Sequence, residues 1–587
     1  MNLEAGEVKL LRHNEEPRCG GRFGVVWRLV VVVMVSAFFV VTQCTNYTHH
    51  FHAHIAKHRI LRNLQEQPAL RFTFELKRKA MYVHGASTFD VVAIPAPKRS
   101  ADGKSMEYNG IASFEKDGHL HVYSLVNGTA YYTRYQNNEI VSDTETGCLP
   151  SGIVPPIGSV LNAIETATTA TKSRVSNDKC PNGSVMIFQF AGEDFVLCSR
   201  QLSWSWLQDD GFQIFGKDLN IGVKSEQSAP IIVPPPVSTD NLKTCGKVPF
   251  GDHILPSLTS MLTRSFFEWS HRSLRAAKAE FDFFGKAWDF ITNDAFDFVS
   301  DEACGCKGIK RPCVFIVGLT SHKDHGLTND DKHKYFGDEL DEHTPCCSRR
   351  QYISLNAKEH HWNSTWFQQS LVDMILQVSS TSDKGKRTVK DTIIIAHSMA
   401  NLILSGAIAN KKVILDPSTS WVASSAPMTG SMGANYIQDT CSSGRGVVSK
   451  IIDLLGKCPV NAGQKSLFYK HSDHSCKQLD DSYIAAQAAY KTNVTGVICS
   501  RSFTGLVSTR LALYALAGEI LPHHSRENDG IVEYESCAGG LPFDTFQSTY
   551  KSSRYISELN HVDTSFRNGD GLFGDSKKPL KWLECLL

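Results

Sequence analysis

The sequence lacks an excess of charge of either sign. It contains 61 lysine and arginine residues against 60 aspartate and glutamate residues, a formal net charge of +1 over 587 residues. Proteins that bind nucleic acid through its phosphates carry a basic excess, and long acidic tails are typical of disordered interaction segments. The near balance therefore predicts no nucleic-acid partner and a globular chain that is long enough for two or more domains.

The cysteines lack the spacing of a zinc site. Seventeen of them are scattered along the chain without repeated C-x-x-C pairs, so we expect no metal cofactor from them. Acceptor sequences for N-glycosylation also occur, at Asn46, Asn127, Asn182, Asn363 and Asn493. Together the cysteines and these sequons favour an oxidising, secretory compartment with disulfide bonds and glycosylation.

An apolar run of full membrane-spanning length is missing from the N-terminus. The run 29–41 is shorter than the ~20 residues that a bilayer-spanning helix needs. A basic tail, 1–24, precedes it. Two interpretations stay open: 25–43 is a type II signal anchor that holds the chain in a membrane, or it is a signal peptide that is cleaved to release a secreted protein. Both place the rest of the chain on the lumenal or outer side, with 44–68 as a stalk.

The following segment, 69–229, is predicted to be a β-rich accessory domain. Its apolar and polar residues alternate in short runs that Asn-Gly and Asp-Gly turns separate, as in an antiparallel sheet with one wet face. The proline-rich stretch 230–245 reads as a linker. In 258–299, a dense set of aromatic residues has helical spacing, and we leave open whether it packs on a sheet or faces lipid.

Beyond the linker, 246–587 is predicted to be an α/β domain. Apolar runs typical of buried strands alternate with helical periodicity, which indicates a parallel sheet with reactive groups at the carboxyl ends of its strands. The cysteine-containing and less regular part, about 428–516, is interpreted as a cap insertion over the active-site edge. A disulfide-tied surface excursion without a gating role is the alternative.

Within this domain, a serine follows a short β-branched run. Residues 388–395 predict a strand and 402–409 a helix, with Ser398 in the tight turn between them. This is the arrangement of a nucleophile elbow, whose strict form is Gly-x-Ser-x-Gly. Here Ala396 and Ala400 stand where the glycines would be. An incidental serine between a buried strand and a helix is the alternative, because a short motif needs its context.

A serine nucleophile needs a histidine base and an acid that orients the histidine. In the order Ser, Asp, His, the chain offers Asp529 in an Asn-Asp-Gly turn and His561 near the C-terminus. Other side chains fit less well, for reasons of order or direction. Asp416 precedes the next strand, His397 would point away from the serine hydroxyl, and His523 and His524 come before the acid.

These segments resemble a known family. Ala-His-Ser-Met-Ala, Asn-Asp-Gly-Ile-Val and Asn-His-Val-Asp are similar to the motifs of the serine lipase and esterase branch of the α/β-hydrolase superfamily, and most similar to those of bacterial true lipases. The resemblance covers 314–587. It implies an α/β-hydrolase fold, a mostly parallel sheet flanked by helices, after the β-rich domain. It also implies Ser398 as nucleophile, His561 as general base and acid, and Asp529 as the orienting acid.

The resemblance extends to the oxyanion hole. In that family a His-Gly pair begins the oxyanion loop, and Val317-Gly318-Leu319 matches it here with a valine in place of the histidine. The implied donors are the backbone N–H of Met399 and that of Leu319 or Thr320. Such donors are each worth about 3 kcal/mol in the transition state.

Asp563 matches an aspartate that binds a structural calcium ion in those lipases. Their second calcium aspartate lies about twenty residues before the catalytic acid, where this chain has only Val507 to Arg510. We therefore predict no cofactor and retain Asp563 alone as a weak calcium candidate.

The resulting hypothesis is a lumenal, membrane-anchored or secreted serine hydrolase that cleaves carboxylic esters, with lipids as the preferred substrate class. Acyl transfer or thioester hydrolysis would use the same triad, because a fold does not determine a substrate. A catalytically inactive hydrolase-fold protein that binds a ligand or partner through its β-rich domain is the competing class. The substitutions at the elbow and in the oxyanion loop favour it, and the complete triad order argues against it.

Overall fold

The computed structural model describes residues 54–99, 106–137, 139–141, 147–149, 159–169, 184–199, 211–236, 245–248, 303–319, 324–331, 334–443, 454–456 and 458–587. The predicted membrane segment 25–43, the aromatic segment 258–299, Asn46, Asn182 and Thr320 lie outside these residues. By contacts the chain divides into Met1–His58 and Arg59–Leu587, and everything described below belongs to the second unit.

The first part of this unit is a large antiparallel sheet. Its strands are β1 (Ala69–Leu76), β2 (Thr88–Arg99), β3 (Met106–Lys116), β4 (His119–Val126), β5 (Thr129–Gln136), β6 (Glu139–Ile140), β7 (Gly147–Cys148), β8 (Thr168–Thr169), β9 (Ser184–Phe190), β10 (Glu193–Ser199), β11 (Phe212–Gly216) and β12 (Leu219–Glu226). A short helix, α1 (Val160–Glu165), precedes β8. The order is β6-β5-β4-β3-β2-β1-β12-β11-β10-β9-β8, and β7 pairs with β5. The predicted β-rich segment is therefore present.

Tight turns between adjacent strands follow from the sequence. Asp117 and Gly118 join β3 to β4 with φ values of 51° and 74°, and Asn127 and Gly128 join β4 to β5 with φ values of 50° and 76°. Two successive residues with positive φ make the hairpin turn that matches the strand twist, and Asn, Asp and Gly tolerate that conformation best. The Asp-Gly and Asn-Gly pairs thus set the register of these strands.

The second part is a mixed sheet flanked by helices. Its strands are β13 (Arg311–Ile316), β14 (Gly326–Thr328), β15 (Cys347–Ser354), β17 (Ile393–His397), β19 (Ser420–Ser424), β20 (Gly496–Ser500) and β21 (Arg554–Ser557), in the order β14-β15-β13-β17-β19-β20-β21. Strand β14 is antiparallel to β15, whereas the pairings from β15 to β21 are parallel. Two short strands, β16 (Thr388–Val389) and β18 (Ile414–Leu415), pair separately.

Helices connect the parallel strands. They are α2 (Thr365–Ile375), α3 (Met399–Ala409), α4 (Met432–Ser443), α5 (Ala462–Lys465), α6 (Lys477–Asn493), α7 (Leu511–Ile520), α8 (Tyr534–Ala538) and α9 (Pro579–Leu586). Strands β17 and β19 are fully buried apolar runs, as expected for the centre of a sheet with helices on both faces. A single core joins these strands to α2, α3 and α6.

The region 428–516, assigned to a cap from the sequence, contains two kinds of element. Strand β20 pairs with β19 and β21, and α6 contributes Leu479, Tyr483 and Tyr490 to the core shared with α3, so both belong to the sheet layer. Helix α4, the short segment 454–456 and α5 lie instead beside Ser398, as described below. The insertion over the active-site edge is therefore shorter than its sequence suggested.

Disulfides reinforce both parts. They join Cys148 to Cys245, Cys304 to Cys585, Cys306 to Cys346, Cys313 to Cys347, Cys441 to Cys458 and Cys499 to Cys537. This pattern fits the oxidising, secretory or extracellular compartment that the sequence predicted. None of the helices in the described part of the chain is both long and apolar enough to cross a bilayer.

Buried ion pairs link the two sheets. The Arg78 guanidinium lies 2.9 Å from the Asp570 carboxylate and 3.3 Å from that of Asp218. The Lys578 ammonium lies 3.1 Å from Asp218 and 3.6 Å from Glu193. Because Arg78, Asp218 and Glu193 belong to the antiparallel part and Asp570 and Lys578 to the mixed part, these charges hold the two parts together.

Candidate active site

Ser398 stands in the turn between β17 and α3 with φ 57° and ψ −132°. A residue with a side chain adopts this positive φ only under strain, and such strain is found at the nucleophile elbow of hydrolases. The predicted strand, turn and helix are therefore present. Ala396 and Ala400 are fully buried beside the turn, so both methyl groups are accommodated where the strict motif has glycine.

Asn401 holds this turn in place. Its side-chain amide donates to the carbonyl oxygens of Ala396 (2.9 Å), Ser398 (3.2 Å) and Ser424 (3.2 Å), and its own oxygen accepts from the indole N–H of Trp421 (3.1 Å). The side chain is fully buried and uses both its donor and its acceptor capacity. Asn401 thus stabilises the strained backbone, a role that the sequence motif did not predict.

Hydrogen bonds connect the three residues that are proposed as a triad. His561 Nε2 lies 3.0 Å from Ser398 Oγ, and His561 Nδ1 lies 2.8 Å from Asp529 Oδ2. With Nδ1 donating to the carboxylate, Nε2 is left as the acceptor of the serine proton. The arrangement suits nucleophilic attack by the serine oxygen.

Asp529 is held in its ionised form. Burial opposes ionisation, but the imidazole of His561 and the backbone N–H of Val532, which donates at 2.7 Å, outweigh it and keep the pKa of Asp529 below its usual value. The N–H of Ile531 also donates to this carboxylate, at 3.0 Å. The Asn-Asp-Gly turn therefore supplies backbone donors that fix the acid against the histidine.

His397, next to the nucleophile, points away from the serine hydroxyl. Its Nε2 lies 2.9 Å from the carbonyl oxygen of His561, and its Nδ1 lies 2.6 Å from the Tyr335 hydroxyl. A carbonyl only accepts, so Nε2 carries the proton and Nδ1 accepts from Tyr335. Burial and the neighbouring His561 lower the pKa of His397 to about 3, so the ring is neutral.

The loop predicted to form the oxyanion hole touches Ser398 at Gly318. A Cβ added to Gly318 would lie 2.8 Å from the Cβ of Ser398 and 3.1 Å from the Tyr335 hydroxyl, so only glycine lets the loop pass this close. The Gly318 N–H donates to Tyr335 at 3.4 Å. Leu319 follows at the cavity wall, and Met399 opens α3, where the first N–H groups of a helix have no partner within the helix.

The serine and histidine open into a cavity of about 770 Å³. Ala434 and Ile437 of α4, together with Leu454 and Leu455, form an apolar wall, and Leu319 belongs to the oxyanion side. A volume of this size is within the range of small-molecule sites. The cap elements therefore enclose the space in front of the nucleophile.

The polar lining of this cavity is basic. Lys358, Arg510, Arg567 and His325 line it, and no aspartate or glutamate of the described chain does. Both Arg510 and Arg567 act electrostatically on the Tyr514 phenol, whose pKa burial nevertheless raises to about 12. Two guanidinium groups thus line the cavity that contains Ser398, which favours ligands that carry negative charge.

Comparisons with known proteins give a faint likeness. No family model and no curated protein sequence match the chain. Among solved structures it is similar to lipase 1 from Pelosinus fermentans, with 11% identity and a TM-score of 0.27 over 47% of this chain and 97% of that one. It is also similar to LprF from Mycobacterium bovis, with 10% identity and a TM-score of 0.19 over 32% and 97%. Structural similarity this weak does not indicate a function for the chain.

The surroundings of Asp563 do not suit calcium. Its Oδ2 accepts from the backbone N–H of Leu506 at 2.7 Å, and its Oδ1 accepts from the Asn568 amide at 2.7 Å. These donors present hydrogen atoms to the carboxylate where a cation would need further oxygen ligands. Burial raises the pKa of Asp563 to about 6, despite these donors.

Among the described residues, one group of potential metal ligands lies close together: Cys304, Glu584 and Cys585. Cys304 and Cys585 are joined in a disulfide, so their sulfurs are not thiolate ligands.

The remaining acid and base candidates lie away from Ser398. Asp416 accepts from the N–H of Ser418 at 3.0 Å and precedes β19, whereas Ser398 follows the carboxyl end of β17. His523 Nδ1 lies 3.5 Å from Glu533 Oε1, which also accepts from the N–H of His524. None of these side chains lines the cavity that contains the serine.

The described glycosylation candidates differ in their surroundings. Asn127 occupies the exposed β4–β5 turn. The side chain of Asn363 donates to Ser482 at 3.2 Å, and that of Asn493 donates to the carbonyl of Ala489 at 2.8 Å. Glycosylation stays a prediction at all three positions, and Asn127 is the most accessible of them.

Proposed function

We propose that the chain is a serine hydrolase with an α/β-hydrolase fold that cleaves carboxylic esters through Ser398, His561 and Asp529. The main support for the proposal is the pair of hydrogen bonds that connects the three side chains. His561 lies 3.0 Å from Ser398 Oγ and 2.8 Å from Asp529. The serine also stands on a strained turn. The parallel strands β15 to β21 and their helices support the fold assignment.

The reaction would proceed by acyl transfer to the enzyme. The Ser398 oxygen attacks the ester carbonyl while His561 Nε2 takes the hydroxyl proton, and N–H groups of Met399 and Leu319 stabilise the oxyanion. His561 then protonates the leaving alcohol, and the acyl group stays on the serine. A water molecule, deprotonated by His561, hydrolyses this acyl-enzyme. Asp529 stabilises the imidazolium throughout.

The cavity supports lipid esters as substrates. Its apolar wall of Ile437, Leu454 and Leu455 suits an acyl chain, and its basic side suits an anionic substituent. The chain would act in the secretory pathway or outside the cell, either anchored through 25–43 or secreted, consistent with its disulfides.

Fluorophosphonate labelling tests the proposal. The parent protein should form a covalent adduct, Ser398→Ala should lose it, and Ser431→Ala, which removes another hydroxyl from the same cavity, should keep it. p-Nitrophenyl esters from acetate to palmitate should then be hydrolysed, with rising efficiency for longer chains.

A parent protein that does not label, or a Ser398→Ala variant that labels as well as the parent, would refute catalysis. That result would favour the inactive binding protein. Labelling without ester hydrolysis, but with acyl transfer to an added alcohol or thiol, would indicate an acyltransferase that uses the same triad.

A further inference from the structure

One face of the antiparallel sheet lines a second cavity, distinct from the one at Ser398, in which Phe72, Phe74 and Phe89 are half-buried. Its volume is about 180 Å³, and no residue lines both cavities. Apolar cavities of about 150 Å³ stay free of water and bind hydrocarbon molecules the size of benzene. The second cavity is therefore large enough for an apolar ligand but too small for a fused ring system such as a sterol.

The lining comes from one face of the sheet. Phe72 and Phe74 on β1, and Phe89 and Val91 on β2, occupy alternate positions, so their side chains project to the same side. The strand register places Phe72 opposite Val91 and Phe74 opposite Phe89. The continuous apolar face follows directly from this pairing.

The cavity is left unfilled because small residues occupy cross-strand positions on the same face of the sheet as the aromatic residues. The register aligns Ala93 with Gly110, and Gly110 with Leu125, across β2, β3 and β4. Ala112 lies next along β3, opposite Val91 and Tyr123. A sheet that only had to fill its own core would carry larger side chains here, because unfilled apolar volume destabilises a protein.

The polar atoms near the cavity already have partners. The Tyr108 hydroxyl donates to the carbonyl of Leu64 at 3.0 Å, and the Tyr123 hydroxyl lies 2.7 Å from Nε2 of His84. The Asn109 side chain accepts from the N–H of Asn127 at 2.8 Å. A polar ligand would lose its hydrogen bonds to water without replacement, so the cavity selects a hydrocarbon.

Residues of the mixed-sheet part complete the wall. The Phe573 ring packs against Phe190 at 5.9 Å and against Phe195 at 6.3 Å between ring centroids. Val507 also lines the cavity, and it follows Leu506, whose N–H is bound to Asp563 two residues after His561. The cavity is thus lined in part by a segment that contacts the loop of His561.

We propose that this cavity binds the end of an unbranched acyl chain of a lipid. The β-rich part is then a lipid-binding module attached to the hydrolase, and its site operates whether or not Ser398 is a nucleophile. The ligand is a free fatty acid or a chain carried on a larger headgroup, since the cavity itself recognises only the hydrocarbon.

Binding of cis-parinaric acid to the full chain tests this site by fluorescence. The parent should show saturable enhancement. Ala112→Phe, which fills the cavity, should weaken binding about tenfold or more, because the chain loses its buried apolar contact. Ser113→Phe places the same ring on the exposed face of β3 and should bind like the parent.

Competition separates the two ligand sources. Displacement by dodecanoate alone indicates a free fatty acid, and displacement by dodecylphosphocholine as well indicates a chain on a headgroup. Equal melting temperatures of the two variants show that both fold. Absence of saturable binding to the parent, or unchanged binding to Ala112→Phe, would overturn the proposal, and neither result depends on fluorophosphonate labelling.

Discussion

Tyr335 connects the oxyanion loop to the loop of the catalytic histidine. Its oxygen accepts from the N–H of Gly318, its hydroxyl donates to His397, and His397 donates to the carbonyl of His561. This sequence of hydrogen bonds spans three chain segments. We expect its members to position the groups proposed to react, although Tyr335 and His397 also line the cavity that contains Ser398.

Replacing Tyr335 by phenylalanine tests this connection. The variant loses two hydrogen bonds, one to His397 and one from Gly318, each worth about 1 kcal/mol, and the proposed oxyanion donors lose their alignment. We expect kcat on p-nitrophenyl butyrate to fall about tenfold with little change in KM, since the loss is felt in the transition state. Tyr469→Phe, which removes a hydroxyl bound to Glu533, is the matched control and should leave kcat unchanged. A raised KM with unaltered kcat would contradict the positioning role.

Asp563 gives a pH-dependent contribution to stability. Its pKa rises from 3.8 in the unfolded chain to about 6 in the folded one. The folded state therefore holds the proton more tightly, so this contribution is complete below pH 3.8 and is lost as the pH rises through 6. Across this pH range, the contribution of Asp563 to the free energy of unfolding falls by about 3 kcal/mol.

The Asp563→Asn variant should not show this loss. Chemical unfolding at a series of pH values should give a free energy of unfolding that falls between pH 4 and 6 in the parent and stays flatter in the variant. Asp416→Asn is the control, because the lowered pKa of that exposed carboxylate places its titration below this window. Parallel curves for the parent and Asp563→Asn would refute the assignment.

At the scale of elements, α7 and the loop after His561 bring two guanidinium groups to one cavity. Arg510 precedes the first residue of α7, and Arg567 follows the 3-10 helix Asp563–Ser565. Both segments are held beside the triad. A Cβ added to Gly530, in the turn of the catalytic acid, would lie 2.8 Å from the carbonyl of Tyr514 in α7.

The double variant Arg510→Gln/Arg567→Gln should lose its preference for anionic esters. We expect kcat/KM for mono-p-nitrophenyl succinate to fall about tenfold or more, because charge-assisted contacts contribute about 1.5 to 3 kcal/mol. The neutral p-nitrophenyl butyrate should be hydrolysed as before. Arg526→Gln, an exposed residue outside the cavity, is the control. Equal losses for both esters would exclude a role in recognising charge.

At the scale of the whole molecule, buried charges join the two sheets. Arg78 is almost fully buried between Asp218 and Asp570, so removing it would take the guanidinium away from Asp570 and leave Asp218 with Lys578 as its remaining cation. Removing one partner of a buried ion pair typically lowers the free energy of unfolding by about 3–5 kcal/mol.

Arg78→Met should therefore lower the melting temperature and separate the unfolding of the two sheets into distinct calorimetric transitions. The adjacent Lys79→Met removes an exposed contact to Glu339 and Glu342 across the same junction and should change little. A single, unshifted transition in Arg78→Met would show that apolar packing alone couples the parts.

Local sequence patterns determined much of this molecule. The alternation in 69–229, the Asp-Gly and Asn-Gly turns, and the β-branched run before Ser398 act through neighbouring residues, so the strands, hairpins and elbow are predictable without tertiary contacts. The order Ser398, Asp529, His561 is likewise a property of the chain.

Only the tertiary structure decided which distant groups meet. Tyr335, Asn401, Arg510 and Arg567 belong to no local motif, and they reach the site because separate loops converge at one edge of the sheet. The extent of the cap also depends on tertiary contacts. The residues of β20 lie in a stretch without a regular sequence pattern, and only their pairing with β19 and β21 assigns them to the sheet. The acyl-chain cavity also depends on register: small and aromatic residues from several strands define a space only when pairing aligns them.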